Sequence, residues 1–223
     1  IGNTNWNLLD TVGFYRGYGG PPEDTLNQGN VNGKLWIPAE ADVSIRPGWF
    51  YHAKEDNKVK SPNTLFNLFL KSVGNGGNLL LNVPPDRRGL FHEADSASLV
   101  GFAALREKAF KTNLFTGLKP LVKTTAGLPT LTYTFKKATK LNAVVLQELI
   151  EHGQRVKTFT IEAKESTTGN FVKIFDGTTI GRKKIATFDP ITTSSIKITI
   201  TDAKAEVLLK PSAAHDFGFE VKN

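Results

Sequence analysis

The chain has 223 residues and carries 28 Lys and Arg side chains against 21 Asp and Glu, which gives a formal net charge of +7. Cysteine is absent, and this excludes a disulfide framework, a thiolate zinc site and a cysteine nucleophile. Hydrophobic residues make up 39% of the chain, and no apolar run approaches the roughly 18 residues that a membrane span needs. The composition predicts a globular protein without a membrane span.

Residues 1–118 have the sequence pattern of an α/β fold. A helix is predicted for Pro62–Val73, with Ser61 as its N-cap and Gly74 just past its end. The apolar run Asn78–Val83 predicts a strand buried on both faces, as in a parallel sheet. The spacing of apolar residues over Glu93–Phe110 predicts a second amphipathic helix.

Residues 119–223 follow a different pattern, in which apolar and polar residues alternate with the period of a strand. Seven strands are predicted at roughly ten-residue intervals: Thr130–Phe135, Leu141–Gln147, Phe159–Ala163, Phe171–Phe175, Ile185–Phe188, Ile196–Ile200 and Val207–Leu209. This spacing is typical of an antiparallel β-sandwich. We therefore predict two domains, residues 1–118 and residues 119–223.

The positive charge does not indicate a nucleic-acid partner. Residues 119–223 hold 16 of the basic residues and 10 of the acidic ones, but the lysines are scattered along alternating strands. Aromatic side chains that stack on bases are not interleaved with them. A solvated sheet face explains the lysines better than a polyanion site does.

The segment from Leu35 to His52 concentrates the side chains that carry chemistry. Aromatic rings, two carboxylates, an Arg and a His crowd into it, and this combination suits a sugar, whose C–H faces stack on rings and whose hydroxyls need polar partners. Glu40 stands near Trp36, and desolvation by apolar neighbours would let its carboxyl hold a proton near neutral pH. The alternative is an exposed Glu40 that caps a helix or pairs with Arg46.

The string W-I-P-A-E-A-D-V-S-I-R-P-G-W-F-Y-H, followed by S-V-G-N-G-G-N-L-L-L-N-V-P-P-D-R-R-G, resembles the α-L-fucosidases of glycoside hydrolase family 29. This resemblance implies that residues 1–118 are the C-terminal part of a (β/α)8-like barrel. The later strings L-N-A-V-V-L-Q-E and S-S-I-K-I-T-I are similar to a discoidin-like sandwich, a galactose-binding-like jelly roll, for residues 119–223. In that fold Gln147, Glu148 and Arg155 would lie near loop ends where ligands or calcium sometimes bind.

The resemblance also implies an activity. Family members are retaining exo-α-L-fucosidases, and this branch removes terminal α-1,3- or α-1,4-linked fucose from glycans. The motif's Glu falls on Glu40, which is thereby implied as the general acid/base. The nucleophilic Asp lies upstream in the family, so the expected partners are a fucosylated glycan and the N-terminal part of the same enzyme. No cofactor or metal is implied, and a periplasmic or extracellular location is expected.

Three further residues are candidates for substrate binding. Trp49 is expected to stack on a sugar, although Trp49, Phe50 and Tyr51 cannot all face one way. Arg46 either contacts a substrate hydroxyl or forms a salt bridge with Asp42 or Asp56. Arg16 lies in a Gly-rich segment that is either a lid bordering the sugar subsite or a plain surface loop. The alternative function is a non-catalytic carbohydrate-binding protein with an inactive fucosidase-like barrel.

Overall fold

A computed structural model of the chain describes residues 39–164, 169–219 and 221. Its first part is a βαβ unit followed by a second helix: strand β1 at Glu40–Ser44, helix α1 at Pro62–Ser72, strand β2 at Asn78–Asn82 and helix α2 at Glu93–Phe110. The two strands are parallel, and their register pairs Glu40 with Asn78 and Ser44 with Asn82. The two predicted helices and the predicted strand are confirmed to within one residue at each end.

Local capping explains where the two helices begin. The Ser61 hydroxyl accepts a hydrogen bond from the Thr64 N–H at 3.2 Å, and proline follows Ser61 at the first helical position of α1. The Nδ1 atom of His92 accepts the Ala94 N–H at 3.2 Å and caps α2 in the same way. The prediction that β2 is buried on both faces is wrong for the described residues, because Leu80 is 51% exposed.

The second part is an antiparallel sheet, as predicted. Its strands are β3 at Leu121–Thr125, β4 at Leu128–Leu146, β5 at Val156–Lys164, β6 at Phe171–Gly177, β7 at Lys184–Ala203 and β8 at Ala213–His215. The hydrogen-bonded order is β3-β4-β7-β5-β6, with β8 paired to β4. Phe159, Ile161, Ile196 and Ile198 lie at the centre of the apolar core that this sheet encloses.

The strand count differs from the prediction because two pairs of predicted strands are continuous. The polar residues between Phe135 and Leu141 do not end β4, and irregularities in its pairing with β7 absorb them. The predicted strand Val207–Leu209 is wrong: only Leu209 pairs, through an isolated bridge with Glu148. The domain boundary near residue 118 stays a prediction. Residue 118 lies in the segment between the end of α2 at Phe110 and the start of β3 at Leu121.

An apolar junction joins the two parts. Phe66, Leu70 and Ala109 from the helices pack with Ala143, Ile185 and Phe217 from the second part. Two basic side chains cross the same junction: Arg182 Nη1 donates to Asn78 Oδ1 at 3.1 Å, and Lys184 Nζ donates to Asn75 Oδ1 at 2.7 Å. The two parts are therefore held together by both apolar burial and specific hydrogen bonds.

The burial of Lys184 predicts a pH-dependent stability. Desolvation lowers the pKa of this ammonium from 10.5 to about 8. A cation whose pKa is lowered on folding contributes stability that is present above the unfolded pKa and is lost as the pH falls through the folded value. The free energy of unfolding should therefore rise between pH 8 and 10.5, by up to about 3 kcal/mol at 1.36 kcal/mol per pKa unit.

The pH dependence of the unfolding free energy is compared between the wild-type chain and Lys184→Met, which keeps most of the aliphatic side chain but removes the charge. We expect urea unfolding of the wild-type chain over this pH range to show the rise and the variant to lack most of it. Parallel pH profiles for the two proteins would contradict the assignment of this effect to Lys184.

Candidate functional site at the carboxyl ends of β1 and β2

The carboxyl ends of the parallel strands carry a turn that is held by polar side chains. Asn82 Nδ2 donates to Ser44 Oγ at 3.1 Å and to the Trp49 carbonyl at 2.9 Å. The Ser44 hydroxyl in turn donates to the Gly48 carbonyl at 2.7 Å. Asn82 thus ties the end of β2 to the turn that follows β1, and it fixes the backbone on which Trp49 stands.

Aromatic rings project from this turn. Trp49 is 50% exposed and Phe50 is 78% exposed. Tyr51 instead turns inward, and its ring lies under the Arg46 guanidinium at 4.8 Å from the centroid. The expectation that the three consecutive aromatics cannot face one way is confirmed. Trp49 and Phe50 are the rings that a ligand at this edge can reach.

Arg46 is fully buried in an ion-pair cluster, which favours the salt-bridge alternative over a contact with substrate. Its Nε atom lies 3.0 Å from both oxygens of Asp95, and its Nη1 atom lies 2.9 Å from Asp56 Oδ1. The side chain of Asp95 is also fully buried. The alternative of a salt bridge with Asp56 is confirmed, and Asp95 is a second partner that the sequence does not reveal.

Asp56 connects this cluster to the segment before α2. Its Oδ2 atom accepts from the Tyr51 hydroxyl at 3.4 Å and lies 3.4 Å from His92 Nε2. His52 contributes through its backbone, because its carbonyl accepts from Arg46 Nη1 at 3.4 Å and from the Glu55 N–H at 2.9 Å. The cluster therefore ties the segment from Tyr51 to Asp56 to His92, the residue just before α2.

The loop after β2 is closed by Asp86. Its carboxylate accepts from Arg88 Nη2 at 2.6 Å, from Arg88 Nε at 2.9 Å and from the Arg88 backbone N–H at 2.8 Å. The hydrogen bonds from the Arg88 side chain are the main cause that lowers the pKa of Asp86 to about 2. Such a carboxyl is ionised at neutral pH and cannot serve as a proton donor there.

Glu55 is a different kind of carboxylate at this edge. It is half-buried, and its Oε2 atom is shielded from solvent and has no hydrogen-bond partner within the part of the chain that the structure describes. A Cβ atom added to Gly48 would lie 3.6 Å from this oxygen. The carboxylate thus sits directly beside the turn that carries Trp49.

Glu40 lies at the opposite end of β1. It is the first residue of the strand, and its side chain is exposed. Four steps of about 3.3 Å put its Cα about 13 Å from that of Ser44. It lines a crevice of about 540 Å³ with Asn78, Arg106 and Arg182. Because parallel α/β folds bind ligands at the carboxyl ends of their strands, this position argues against the implied role of Glu40 as general acid/base.

Two other expectations concern ligands in the second part and the Gly-rich segment. The carboxylate of Glu148 is buried and accepts the backbone N–H groups of Arg155, Val156 and Gly181 at 2.7–3.0 Å. These three hydrogen bonds tie Glu148 to the backbone at Arg155–Val156 and at Gly181. Arg16, our third candidate for substrate binding, lies outside the described residues.

Within residues 39–164, 169–219 and 221, no group of three or more His, Asp or Glu side chains is placed to hold a metal ion. Over the same residues, none of the helices is long and apolar enough to cross a membrane.

Comparisons with known proteins agree with the two-part architecture. Residues 16–106 match the α-L-fucosidase family model, and residues 108–209 match the F5/8 type C domain model. Alpha-L-fucosidase 1 of Arabidopsis thaliana is 29% identical over 238 aligned positions, covering 93% of this chain and 46% of the plant protein. The chain thus spans less than half the length of this curated relative.

Solved structures give the same result. A glycoside hydrolase 29 family member from an unknown rumen bacterium is 32% identical with a TM-score of 0.80, covering 97% of this chain and 38% of that one. A Ruminococcus gnavus family 29 fucosidase in complex with fucose is 27% identical with a TM-score of 0.77, covering 84% of this chain and 43% of that one. Residues 16–106 therefore resemble the α-L-fucosidases of glycoside hydrolase family 29, and residues 108–209 resemble an F5/8 type C domain.

Proposed function

We propose that the complete protein is a retaining exo-α-L-fucosidase that removes terminal α-1,3- or α-1,4-linked fucose from glycans. Residues 1–118 would form the C-terminal part of a (β/α)8-like barrel, and the N-terminal part of the same enzyme would complete it. A periplasmic or extracellular location fits a glycan substrate. The observation that carries the proposal is the exposed Trp49, which Asn82 holds at the carboxyl ends of two parallel strands.

The residues of this chain would bind and orient the sugar. An aromatic face packs against the C–H face of a pyranose, and Trp49 offers such a face at the edge where parallel α/β folds bind their ligands. Asn82 and Ser44 keep the Trp49 backbone in place from one side. The buried pair of Arg46 and Asp95 keeps the following stretch in place from the other side.

Retention requires two carboxyl groups about 5–5.5 Å apart, one as nucleophile and one as acid and then base. Asp86 is committed to Arg88, and Glu40 lies at the far end of β1. We therefore propose that the nucleophile and the acid/base come from the rest of the complete protein. Glu55, whose Oε2 atom has no hydrogen-bond partner among the described residues, lies beside Gly48, the residue before Trp49.

The stereochemistry of the released fucose tests this proposal. The complete protein is mixed with an α-1,4-fucosylated oligosaccharide, and the anomeric protons are followed by NMR from the first turnover. We expect α-L-fucose to appear first and then to mutarotate. Initial release of the β-anomer would contradict the retaining mechanism. Binding of the oligosaccharide without release of fucose would instead favour the non-catalytic carbohydrate-binding protein.

A further inference from the structure

Three consecutive basic residues, Arg182, Lys183 and Lys184, lie where the second part of the chain meets the helices. Lys184 begins β7, and the other two directly precede it. Arg182 lines the crevice beside the amino ends of β1 and β2. Lys183 lines a separate groove beside α2, and Lys184 lines a third cavity at the end of α1. The run thus places three positive charges in the junction.

The side-chain hydrogen bonds of two of these cations go to neutral acceptors. Arg182 donates to Asn78 Oδ1 and Lys184 donates to Asn75 Oδ1, and both acceptors are amide oxygens. The ion pairs found among the described residues involve none of the three. Burial and the neighbouring charge of Arg182 both lower the pKa of Lys183. The junction therefore holds a half-buried Lys183 and a buried Lys184 that form no ion pair with another described residue.

The groove at Lys183 is large enough for a small ligand. It encloses about 570 Å³, and its lining includes Arg106, Phe110, Gln147 and His215. Arg106 stands on the exposed side of α2 and also lines the crevice that contains Arg182. Glu107 borders the groove, but it forms no ion pair with another described residue. The lining thus combines two cations, one carboxylate, an amide and an aromatic ring.

We propose that this groove binds a sugar that carries a sulfate or carboxylate group. A guanidinium such as Arg106 can hold two oxygens of one anionic group, and the ammonium of Lys183 supplies a second charge. Phe110 and Gln147 provide the apolar face and the amide that a sugar ring requires. The anionic part of the ligand follows from the excess of two cations, Arg106 and Lys183, over the single carboxylate of Glu107 in the lining, whereas the sugar part rests on the proposed fucosidase function.

The location separates this groove from the Trp49 edge. Asn78 and Arg182 mark the amino ends of the strands, whereas Trp49 follows the carboxyl end of β1. A glycan held in the groove would therefore not occupy the sugar site at Trp49. The groove would hold the protein on negatively charged glycans, and the sugar site at Trp49 would stay free to bind fucose.

Calorimetric titration of the complete protein tests the proposal with three probes. These are a sulfated heparin tetrasaccharide, a hyaluronan tetrasaccharide that carries only carboxylates, and a neutral fucosylated tetrasaccharide. We expect at least one anionic probe to bind through this groove, and the stronger of the two identifies sulfate or carboxylate as the preferred group. Absence of binding to both anionic probes would overturn the proposal.

Lys183→Ala and Arg106→Ala should each weaken the anionic probe at least about tenfold, since a hydrogen bond to a charged group is worth about 1.5–3 kcal/mol. Lys123→Ala removes the same charge from an exposed position on β3 and serves as the control. Equal weakening by the control variant would show nonspecific attraction and overturn the site. Arg106 is exposed, so its variant remains informative if Lys183→Ala fails to fold.

The result of the calorimetric titration does not depend on the proposed fucosidase function. Anion binding by a protein that releases no fucose would support the groove and contradict the proposed function. Release of fucose without anion binding would overturn the groove alone.

Discussion

Replacing Arg46 with Met is expected to lower the free energy of unfolding by about 3–5 kcal/mol, the usual cost of removing one partner from a buried ion pair. The substitution leaves the Asp95 carboxylate fully buried without a counter-ion. It also removes a hydrogen bond to Asp56 and the cation that lies over the Tyr51 ring. Urea unfolding of the chain and of its variant gives the difference directly.

A matched control comes from an exposed ion pair. Lys173 and Asp176 lie 2.7 Å apart on β6, but their side chains are 57% and 63% exposed. Lys173→Met should therefore cost less than about 1 kcal/mol, as is typical of surface pairs. Similar losses for the two variants would mean that burial does not set the strength of the Arg46 cluster, and would contradict our account of it.

The helices could be predicted from sequence because their signals are local. Ser61 and the proline after it mark the start of α1, and the apolar spacing that follows repeats with the helical period. The same holds for α2, whose predicted bounds are those observed. The strands of the second part were harder to delimit, because bulges let β4 continue through polar residues that read as a loop.

The role of Arg46 shows the limit of such reasoning. Its pairing with Asp56 was one of the alternatives, because the two residues are only ten positions apart. Asp95 is 49 positions away and is brought to Arg46 by the packing of α2. In the sequence, Asp95 is simply an acidic residue in the first turn of a helix, where the helix dipole already favours it.

Glu40 illustrates a second limit. The density of aromatics and carboxylates around it predicts a functional segment, but it does not tell which end of a strand each side chain occupies. The parallel register of β1 and β2 puts Glu40 at one edge and Trp49 beyond the other. The charges of residues 182–184 are likewise visible in the sequence, whereas the partial burial of Lys183 and the burial of Lys184 are not.

Trp49→Ala is expected to reduce kcat/KM of the complete protein on a fucosylated oligosaccharide by about 30- to 150-fold. Burying an aromatic face against a sugar contributes about 2–3 kcal/mol, and each 1.36 kcal/mol changes the rate tenfold. Trp49 is half exposed in the chain, so its removal leaves no cavity in the core. The loss should therefore appear in turnover and leave the unfolding free energy within about 0.5 kcal/mol of wild type.

The most direct test of which strand edge carries the chemistry is the turnover of an unactivated fucoside by the complete protein. In this test Glu40→Gln is compared with Trp49→Ala and with wild type. With the site at the carboxyl ends of β1 and β2, Glu40→Gln keeps kcat/KM within about threefold of wild type while Trp49→Ala loses most of it. Loss of a general acid usually costs about 100- to 10,000-fold. A loss of that size in Glu40→Gln, with Trp49→Ala unaffected, would contradict the account and return the proton donor to Glu40.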